Sequence, residues 1–273
     1  MGVEPVDLVI LGLAVLGAGL IGGLIAGLFG VGGGTVIVPA LFYAFEVLGL
    51  GGEGNLHTAI GTSLLTIVAT SWRSLGAHRA HGAVDEAVLR TWTPWVGAGA
   101  LVGAGVAGFT SMEGLAVVYG VCLTLIAAQM GVMPERFTLR RDLPTGWGRR
   151  GTGGVIGLLS AMMGIGGGSF GGMLLTLCGR PIHQAVATAS GFGVAIGSAA
   201  MTGFVVFGWG AAGRPPLSAG YVNLPAAVVM GLLTTLVAPY GARLAHRLDK
   251  RALRKAFALY LLVAGLAVVV KAF

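Results

Sequence analysis

The sequence predicts an all-α integral membrane protein made of two inverted helical repeats, and three observations lead to this fold class. First, 55% of the 273 residues are hydrophobic and only 10% are charged, whereas soluble domains carry about a quarter charged residues. Second, a glycine-rich run occurs twice, at 30–34 and 164–168, and both copies lie inside uncharged stretches. Third, basic residues gather in alternate loops, as the positive-inside rule expects.

Uncharged stretches predict the individual membrane helices. A complete crossing needs about 20 apolar residues, so stretches of about half that length predict half-helices or a re-entrant hairpin. The first stretch continues too directly into the glycine run to be a cleaved signal peptide. In chain order the predicted segments are 6–29, 36–45, 57–75, 91–109, 115–132, 151–163, 170–178, 183–207, 221–240 and 256–270.

Each glycine run predicts a break between two helices inside the membrane. An unpaired backbone amide costs several kcal/mol in hydrocarbon, so non-helical backbone occurs there only where protein or a wet cavity covers it. Thr35 follows the first run and Ser169 follows the second, and both residue types favour helix N-termini. Neither run ends in the lysine of a nucleotide-binding P-loop. We therefore expect each repeat to contain a glycine-broken re-entrant or hairpin helix pair, as transporters use around substrate sites.

The loop charges predict the orientation. The alternate connections carry Glu46 and Glu53, so the three basic loops should be cytoplasmic and both termini outside. One membrane domain then divides into a first repeat at 1–132, a cytoplasmic connecting loop at 133–150 and an inverted second repeat at 151–273. The basic loops contain Arg73, Arg79 and Arg90; Arg136, Arg140, Arg141, Arg149 and Arg150; and Arg243, Arg247, Lys250, Arg251, Arg254 and Lys255.

A second pair of similar segments supports an internal duplication. The segment from His57 to Ser63 matches the segment from His183 to Ala189. In both halves this segment follows the glycine run. Two matches in the same order favour duplication over chance similarity between helices.

Several motifs together carry a resemblance to a known family. They lie at 30–34, 57–63, 78–85, 164–168, 183–190, 217–223 and 241–248. With these motifs in this order, the chain resembles the sulfite exporter TauE/SafE-like family of membrane permeases over essentially its whole length. The resemblance implies a secondary transporter, not an enzyme, that exports sulfite or a C2 organosulfonate such as sulfoacetate. The duplicated glycine elements and the loop charges predict alternating access around a midplane site as its mechanism. An anion channel, or a permease for a carboxylate or another sulfur compound, is the alternative.

The predicted substrate site consists of helix ends and hydroxyl groups. Free N–H groups and the positive end of the helix dipole attract anions to helix N-termini. No Asp or Glu lies deep in a predicted span, which disfavours a carboxylate proton relay and favours an anionic substrate. Alternatively, the glycines serve helix packing and the hydroxyls bond to carbonyls of their own helices. The predicted substrate-binding residues are Gly32, Gly33, Gly34, Thr35, Thr62, Ser63, Gly166, Gly167, Gly168, Ser169, Thr188 and Ser190.

Three further residues are candidates for gating or proton coupling. His57 and His183 begin matching spans, and histidine titrates near physiological pH, although capping at the membrane interface explains them equally well. Arg73 lies at the cytoplasmic end of its span, where it either snorkels to the interface or attracts the anion. We expect no metal, no cofactor and no nucleic acid. The expected partners are the small sulfur-containing anion and the lipids of the inner membrane, with a homo-oligomer as a further option.

Overall fold

The described part of the chain is almost entirely helical. The computed structural model describes residues 16–17, 19–25, 33–47, 49–50, 52–132, 140, 142–245 and 250–273, and residues 19–25 are helical. The elements that follow this segment are α1 (Gly34–Val47), α2 (Asn55–Ala80), α3 (Glu86–Gly108), α4 (Met112–Val132), α5 (Gly146–Met163), α6 (Phe170–Leu177), α7 (Ile182–Phe207), β1 (Ser218–Ala219), β2 (Val222–Asn223), α8 (Leu224–Ala245) and α9 (Lys250–Ala272). The antiparallel pair of β1 and β2 is a small departure from the all-α prediction.

Several of these helices have the length and composition of membrane spans. Apolar windows long enough to cross a bilayer occur at Met112–Gly131, Ile182–Phe207, Leu224–Gly241 and Lys255–Ala272, and α1 is a shorter apolar helix. A helix therefore occupies each predicted segment from 36–45 onward, whereas segment 6–29 lies largely outside the described residues.

The helices end at other residues than the predicted segments do, because the helices continue into charged residues that the prediction left in loops. Helix α5 begins at Gly146, inside the predicted connecting loop 133–150. The Arg150 guanidinium lies 4.8 Å from the Trp95 ring centroid and 4.6 Å from that of Trp147. Cation–π contacts of this kind let a charged residue sit within a helix end at a membrane interface.

Helices α2 and α7 form the antiparallel centre of the fold. A Cβ added at Gly61 would lie 3.2 Å from the Phe204 Cβ, and one added at Gly197 would lie 3.1 Å from the Leu64 carbonyl oxygen. Residues of increasing number along α2 thus contact residues of decreasing number along α7. Helices α2 and α7, which contain the two matching His segments, therefore run in opposite directions.

Glycines allow α3 and α5 to approach each other at backbone distance. A Cβ at Gly99 would collide with the Gly154 carbonyl, and one at Gly157 would collide with the Val96 carbonyl. Small residues permit such contacts between membrane helices, where close packing replaces the hydrophobic effect as the source of association.

A second close contact between helices of the two halves also depends on glycines. A Cβ at Gly19 would lie 2.8 Å from the Leu233 Cβ, and one at Gly23 would lie 2.9 Å from the Val237 Cβ. The helical segment 19–25 therefore packs on α8 as α5 packs on α3. Helix α9 packs along α4.

Charged residues separate to the two ends of the helical bundle. At one end, which we call the basic end, Arg79 pairs with Glu86 at 2.7 Å and Arg180 pairs with Asp85 at 3.3 Å. Arg140 also lies there, since its backbone N–H donates to the Leu177 carbonyl at 3.2 Å.

The opposite end, which we call the acidic end, is organised around one carboxylate. The side chain of Glu46 accepts a hydrogen bond from Asn55 at 2.9 Å and pairs with Lys271 at 3.4 Å. This contact joins the C-terminal end of α1 to the start of α2 and to the end of α9.

Candidate functional site

The two glycine runs touch each other. A Cβ added at Gly34 would collide with the Gly164 carbonyl oxygen and would lie 3.0 Å from the Ile165 Cα. Gly33 and Gly164 adopt left-handed backbone angles, with φ of 74° and 64°, which residues with a Cβ rarely adopt. The predicted site residue Gly32 lies outside the described residues.

The remainder of the second glycine run lies between α2 and α7. A Cβ at Gly166 would lie 3.2 Å from the Ile67 Cγ2, whereas one at Gly167 would lie 2.6 Å from the Ala189 carbonyl oxygen and 2.6 Å from the Phe192 Cβ. Gly168 is half-buried in the same turn. The break therefore lies about midway along both central helices, and α6 leads from it back to the basic end.

Three buried hydroxyl groups in or beside the two glycine runs, those of Thr35, Ser160 and Ser169, have no hydrogen-bond partner among the residues that the structure describes. Their residues are 1%, 0% and 8% exposed. Ser169 occupies the expected N-cap position of α6, although its side chain makes no capping hydrogen bond. The expectation is wrong for Thr35, which lies inside α1 because that helix already begins at Gly34. A buried polar group without a partner costs about 1–3 kcal/mol of stability.

Two tyrosines converge on the backbone beside these hydroxyls. The hydroxyl groups of Tyr119 in α4 and Tyr260 in α9 donate to the Thr35 carbonyl at 3.3 and 3.1 Å. Sequence reasoning missed both tyrosines and Ser160. A tyrosine inside an apolar span is a detectable signal, because its hydroxyl requires a partner there.

Two predicted serines already use their hydroxyl protons. Ser63 donates to the Gly164 carbonyl at 2.9 Å, and Ser190 donates to the Ala187 carbonyl at 2.6 Å. Ser63 therefore holds the glycine break in place. Ser190 donates to a carbonyl of its own helix, which is the alternative to substrate binding given for these hydroxyls above.

Thr62 and Thr188 take part in matching contacts at the two ends of the molecule. The Thr62 hydroxyl oxygen accepts from the Asn223 backbone N–H at 2.9 Å, and the Thr188 hydroxyl oxygen accepts from the Asp85 backbone N–H at 2.9 Å. Asn223 and Asp85 each also accept a backbone N–H three residues later through a side-chain oxygen, at 3.0 and 3.1 Å. In each case a helix start in one half is tied to the central helix of the other half.

His57 connects the start of α2 to the end of α3 at the acidic end. Its Nε2 lies 3.0 Å from the carbonyl oxygens of both Ala107 and Thr110, at the end of α3. Its ring stacks on Tyr221, with centroids 4.9 Å apart. The interfacial capping explanation for this residue therefore has geometric support.

The remaining two candidates are accessible. His183 and Arg73 are both exposed, His183 in the first turn of α7 and Arg73 on α2. Within the described ranges, no cluster of three His, Cys, Asp or Glu residues is arranged to hold a metal ion. Cys122 and Cys178 are buried free thiols.

Comparison with known proteins gives a consistent result along the chain. Residues 15–268 match the family described as sulfite exporter TauE/SafE. A probable membrane transporter protein of Haemophilus influenzae is 32% identical over 251 residues, covering 91% of this chain and 94% of the relative. Another of Methanocaldococcus jannaschii is 26% identical over 255 residues and covers 91% of both chains. No solved structure matches. The chain therefore belongs to the sulfite exporter TauE/SafE family and is a multi-pass membrane transporter.

Proposed function

We propose that this transporter exports a small sulfur-containing oxyanion, either sulfite or a C2 organosulfonate such as sulfoacetate. One observation carries the proposal: the two glycine runs meet at Gly34 and Gly164, and three buried hydroxyls in or beside these runs lack a hydrogen-bond partner within the described part of the chain. Hydroxyl and backbone N–H donors satisfy an oxyanion without placing a full positive charge inside the membrane. The family description as a sulfite exporter supports sulfur chemistry for the ligand.

The proposed site has a binding layer and a supporting layer. The binding layer contains Thr35, Ser160 and Ser169 together with the glycine backbone of the two runs, namely Gly33, Gly34, Gly166, Gly167 and Gly168. The predicted role of Gly32 stays a prediction. The supporting layer contains Ser63, which fixes the Gly164 carbonyl, and the tyrosines on the Thr35 carbonyl. Thr62 and Thr188 tie the halves together near the two mouths, where we place the gates.

The proposed mechanism is alternating access between two inverted repeats. The antiparallel course of α2 and α7 and the matching contacts of Thr62 and Thr188 support this arrangement. The hairpin of α5 and α6, with its counterpart in the first repeat, would rock against the remaining helices. By the positive-inside rule the basic end faces the cytoplasm and the acidic end faces outward.

Thermal stability in detergent against a panel of anions tests the substrate class. The panel contains sulfite, sulfoacetate, taurine, sulfate, acetate and phosphate. A ligand that binds only the folded protein raises its stability by RT ln(1 + [L]/Kd). We expect dose-dependent stabilisation by sulfite or sulfoacetate, and loss of that response in Ser160→Ala. Stabilisation by acetate alone, or by no anion, would contradict the proposal.

Counterflow in proteoliposomes separates a carrier from a channel. In vesicles preloaded with excess unlabelled sulfite, a carrier with a closed central site transiently accumulates labelled sulfite above its external concentration. An open channel only equilibrates the label. Equilibration without accumulation would replace alternating access with the channel alternative and leave the substrate class intact.

A further inference from the structure

The matching contacts at the two ends of the molecule differ in charge. Asp85 and Asn223 occupy the same position, each before a helix, each capping it and each tied to a threonine of the opposite central helix. Asn223 is neutral, and its amide donates to the Pro216 carbonyl at 2.8 Å. Asp85 instead pairs with Arg180 at 3.3 Å. Capping alone does not require the charge, since the amide at Asn223 performs it.

Arg180 lies in a positively charged region next to the glycine-broken hairpin. It follows α6 after Cys178 and Gly179, and Arg140 lies at the same helix end, because its backbone N–H donates to the Leu177 carbonyl at 3.2 Å. His183 follows three residues later, exposed in the first turn of α7. Among the residues that the structure describes, Asp85 is the carboxylate that forms an ion pair with Arg180.

The Arg180 guanidinium is accessible from the basic end while Asp85 is covered. Their side chains are 41% and 16% exposed, respectively. Guanidinium binds the oxygens of sulfur and phosphorus oxyanions with the same planar fork that it offers a carboxylate. An incoming oxyanion can therefore replace the Asp85 carboxylate on Arg180 without moving the backbone of α3.

We infer that Arg180 is the inner anion site of this transporter, where a small oxyanion from the basic side displaces Asp85 before reaching the central hydroxyls. Displacement also removes the ionic tie between the loop after α6 and the start of α3, so loading and opening of the hairpin are coupled. The inference rests on the proposed function, because it takes the transported ligand to be an oxyanion.

Side-specific transport of labelled sulfite tests the inference in two variants with opposite expected effects. In inside-out vesicles, Arg180→Gln should raise the KM for sulfite about tenfold, since it removes a charged hydrogen-bond donor. Asp85→Asn should lower the KM several-fold, because it frees Arg180 while keeping the cap seen at Asn223. In right-side-out vesicles, both variants should change the KM about twofold or less.

The exposed pair of Arg79 and Glu86 provides matched controls. Arg79→Gln and Glu86→Gln make the same charge changes at the same end of the molecule, and both should leave the KM within about twofold of wild type. A KM for Arg180→Gln equal to that of Arg79→Gln would overturn the inference. So would a similar loss of transport and of melting temperature in Arg180→Gln and Asp85→Asn, since that pattern assigns the pair a purely structural role.

The wild-type protein distinguishes failure of the inference from failure of the proposed function. If wild-type vesicles transport sulfite but Arg180→Gln and Asp85→Asn do not change the KM in opposite directions, only the inner anion site is wrong. If wild-type vesicles transport no sulfite or sulfoacetate and neither anion stabilises the protein, the proposed function and the inner anion site both fail.

Discussion

The hydroxyls of Thr35, Ser160 and Ser169 should weaken the fold, because each is buried and none has a hydrogen-bond partner among the described residues. Replacing both partners of a buried hydrogen bond by apolar groups can be neutral, but burying one polar group alone carries the full desolvation cost. Serine and alanine have similar volumes, so the packing around Ser160 does not itself require the oxygen. A ligand that accepts these three bonds gives the hydroxyls a function.

The first prediction separates binding from stability at these positions. Ser160→Ala and Thr35→Val should reduce transport about tenfold, the effect of losing one hydrogen bond to a charged ligand, while the melting temperature stays equal or rises. The control is Ser63→Ala, which removes the donor to the Gly164 carbonyl and should lower the melting temperature by a few degrees. If Ser160→Ala loses as much stability as Ser63→Ala, the oxygen of Ser160 has a structural partner and the binding role is wrong.

The second prediction concerns the close approach at Gly167. Gly167→Ala places a Cβ 2.6 Å from the Ala189 carbonyl oxygen, so the hairpin must shift, at a cost of about 1–3 kcal/mol. We expect transport to be lost and the melting temperature to fall. Gly172→Ala, five positions further on, meets its nearest neighbour at 3.8 Å and should transport normally. Equal activity of the two variants in proteoliposomes would show that the turn tolerates displacement.

At the scale of the elements, contact between α3 and α5 depends on glycine at specific positions. The third prediction compares two glycines of α3. Gly99→Ala introduces a Cβ that collides with the Gly154 carbonyl, whereas at Gly97 no atom lies within 4 Å of an added Cβ. Gly99→Ala should therefore destabilise the protein, and Gly97→Ala should be neutral or stabilise it by about 1 kcal/mol through helix propensity. Melting temperatures in detergent measure both. A destabilising Gly97→Ala would indicate a contact with lipid or a second copy at this face.

The sequence alone predicts the existence of the helices better than their ends. Absence of charge identifies every predicted span from α1 onward, but helices continue into charged residues wherever these find partners. Arg79 remains within α2 because Glu86 accepts its hydrogen bonds, and Arg150 remains within α5 because two tryptophan rings face it. The short pair of β1 and β2 depends on left-handed backbone at Leu217 and Gly220, and no sequence pattern identifies the first of these.

For the site, the glycine runs are predictable because only glycine fits where two backbones meet. The role of each hydroxyl is not predictable in the same way, since it depends on tertiary partners. Ser63 and Ser169 are the same residue type beside the same break, yet Ser63 has an acceptor and Ser169 has none within the ranges that the structure describes. Spacing along one chain does not specify which carbonyl of a distant segment will lie opposite a given serine.

At the scale of the whole molecule, the separation of charge between the two ends predicts an orientation in the membrane that labelling can test. The fourth prediction uses single cysteines in a Cys122→Ala, Cys178→Ala background. Glu53→Cys at the acidic end should react with a membrane-impermeant maleimide in intact cells, and Arg140→Cys at the basic end should react only after permeabilisation. Both positions are exposed. The opposite labelling pattern would reverse the orientation and, with it, the side from which Arg180 meets the anion.

The bonds of Thr62, Thr188 and Ser63 share a property that reaches beyond transport: each has one partner in either half of the chain. Neither half can complete its own polar interior, so each is an unfinished folding unit. Cutting the gene between Val132 and Arg140 should give two fragments that are degraded when expressed singly but accumulate together as a complex. By the same reasoning, an ancestor with a single half would have needed two copies inserted in opposite directions in one membrane.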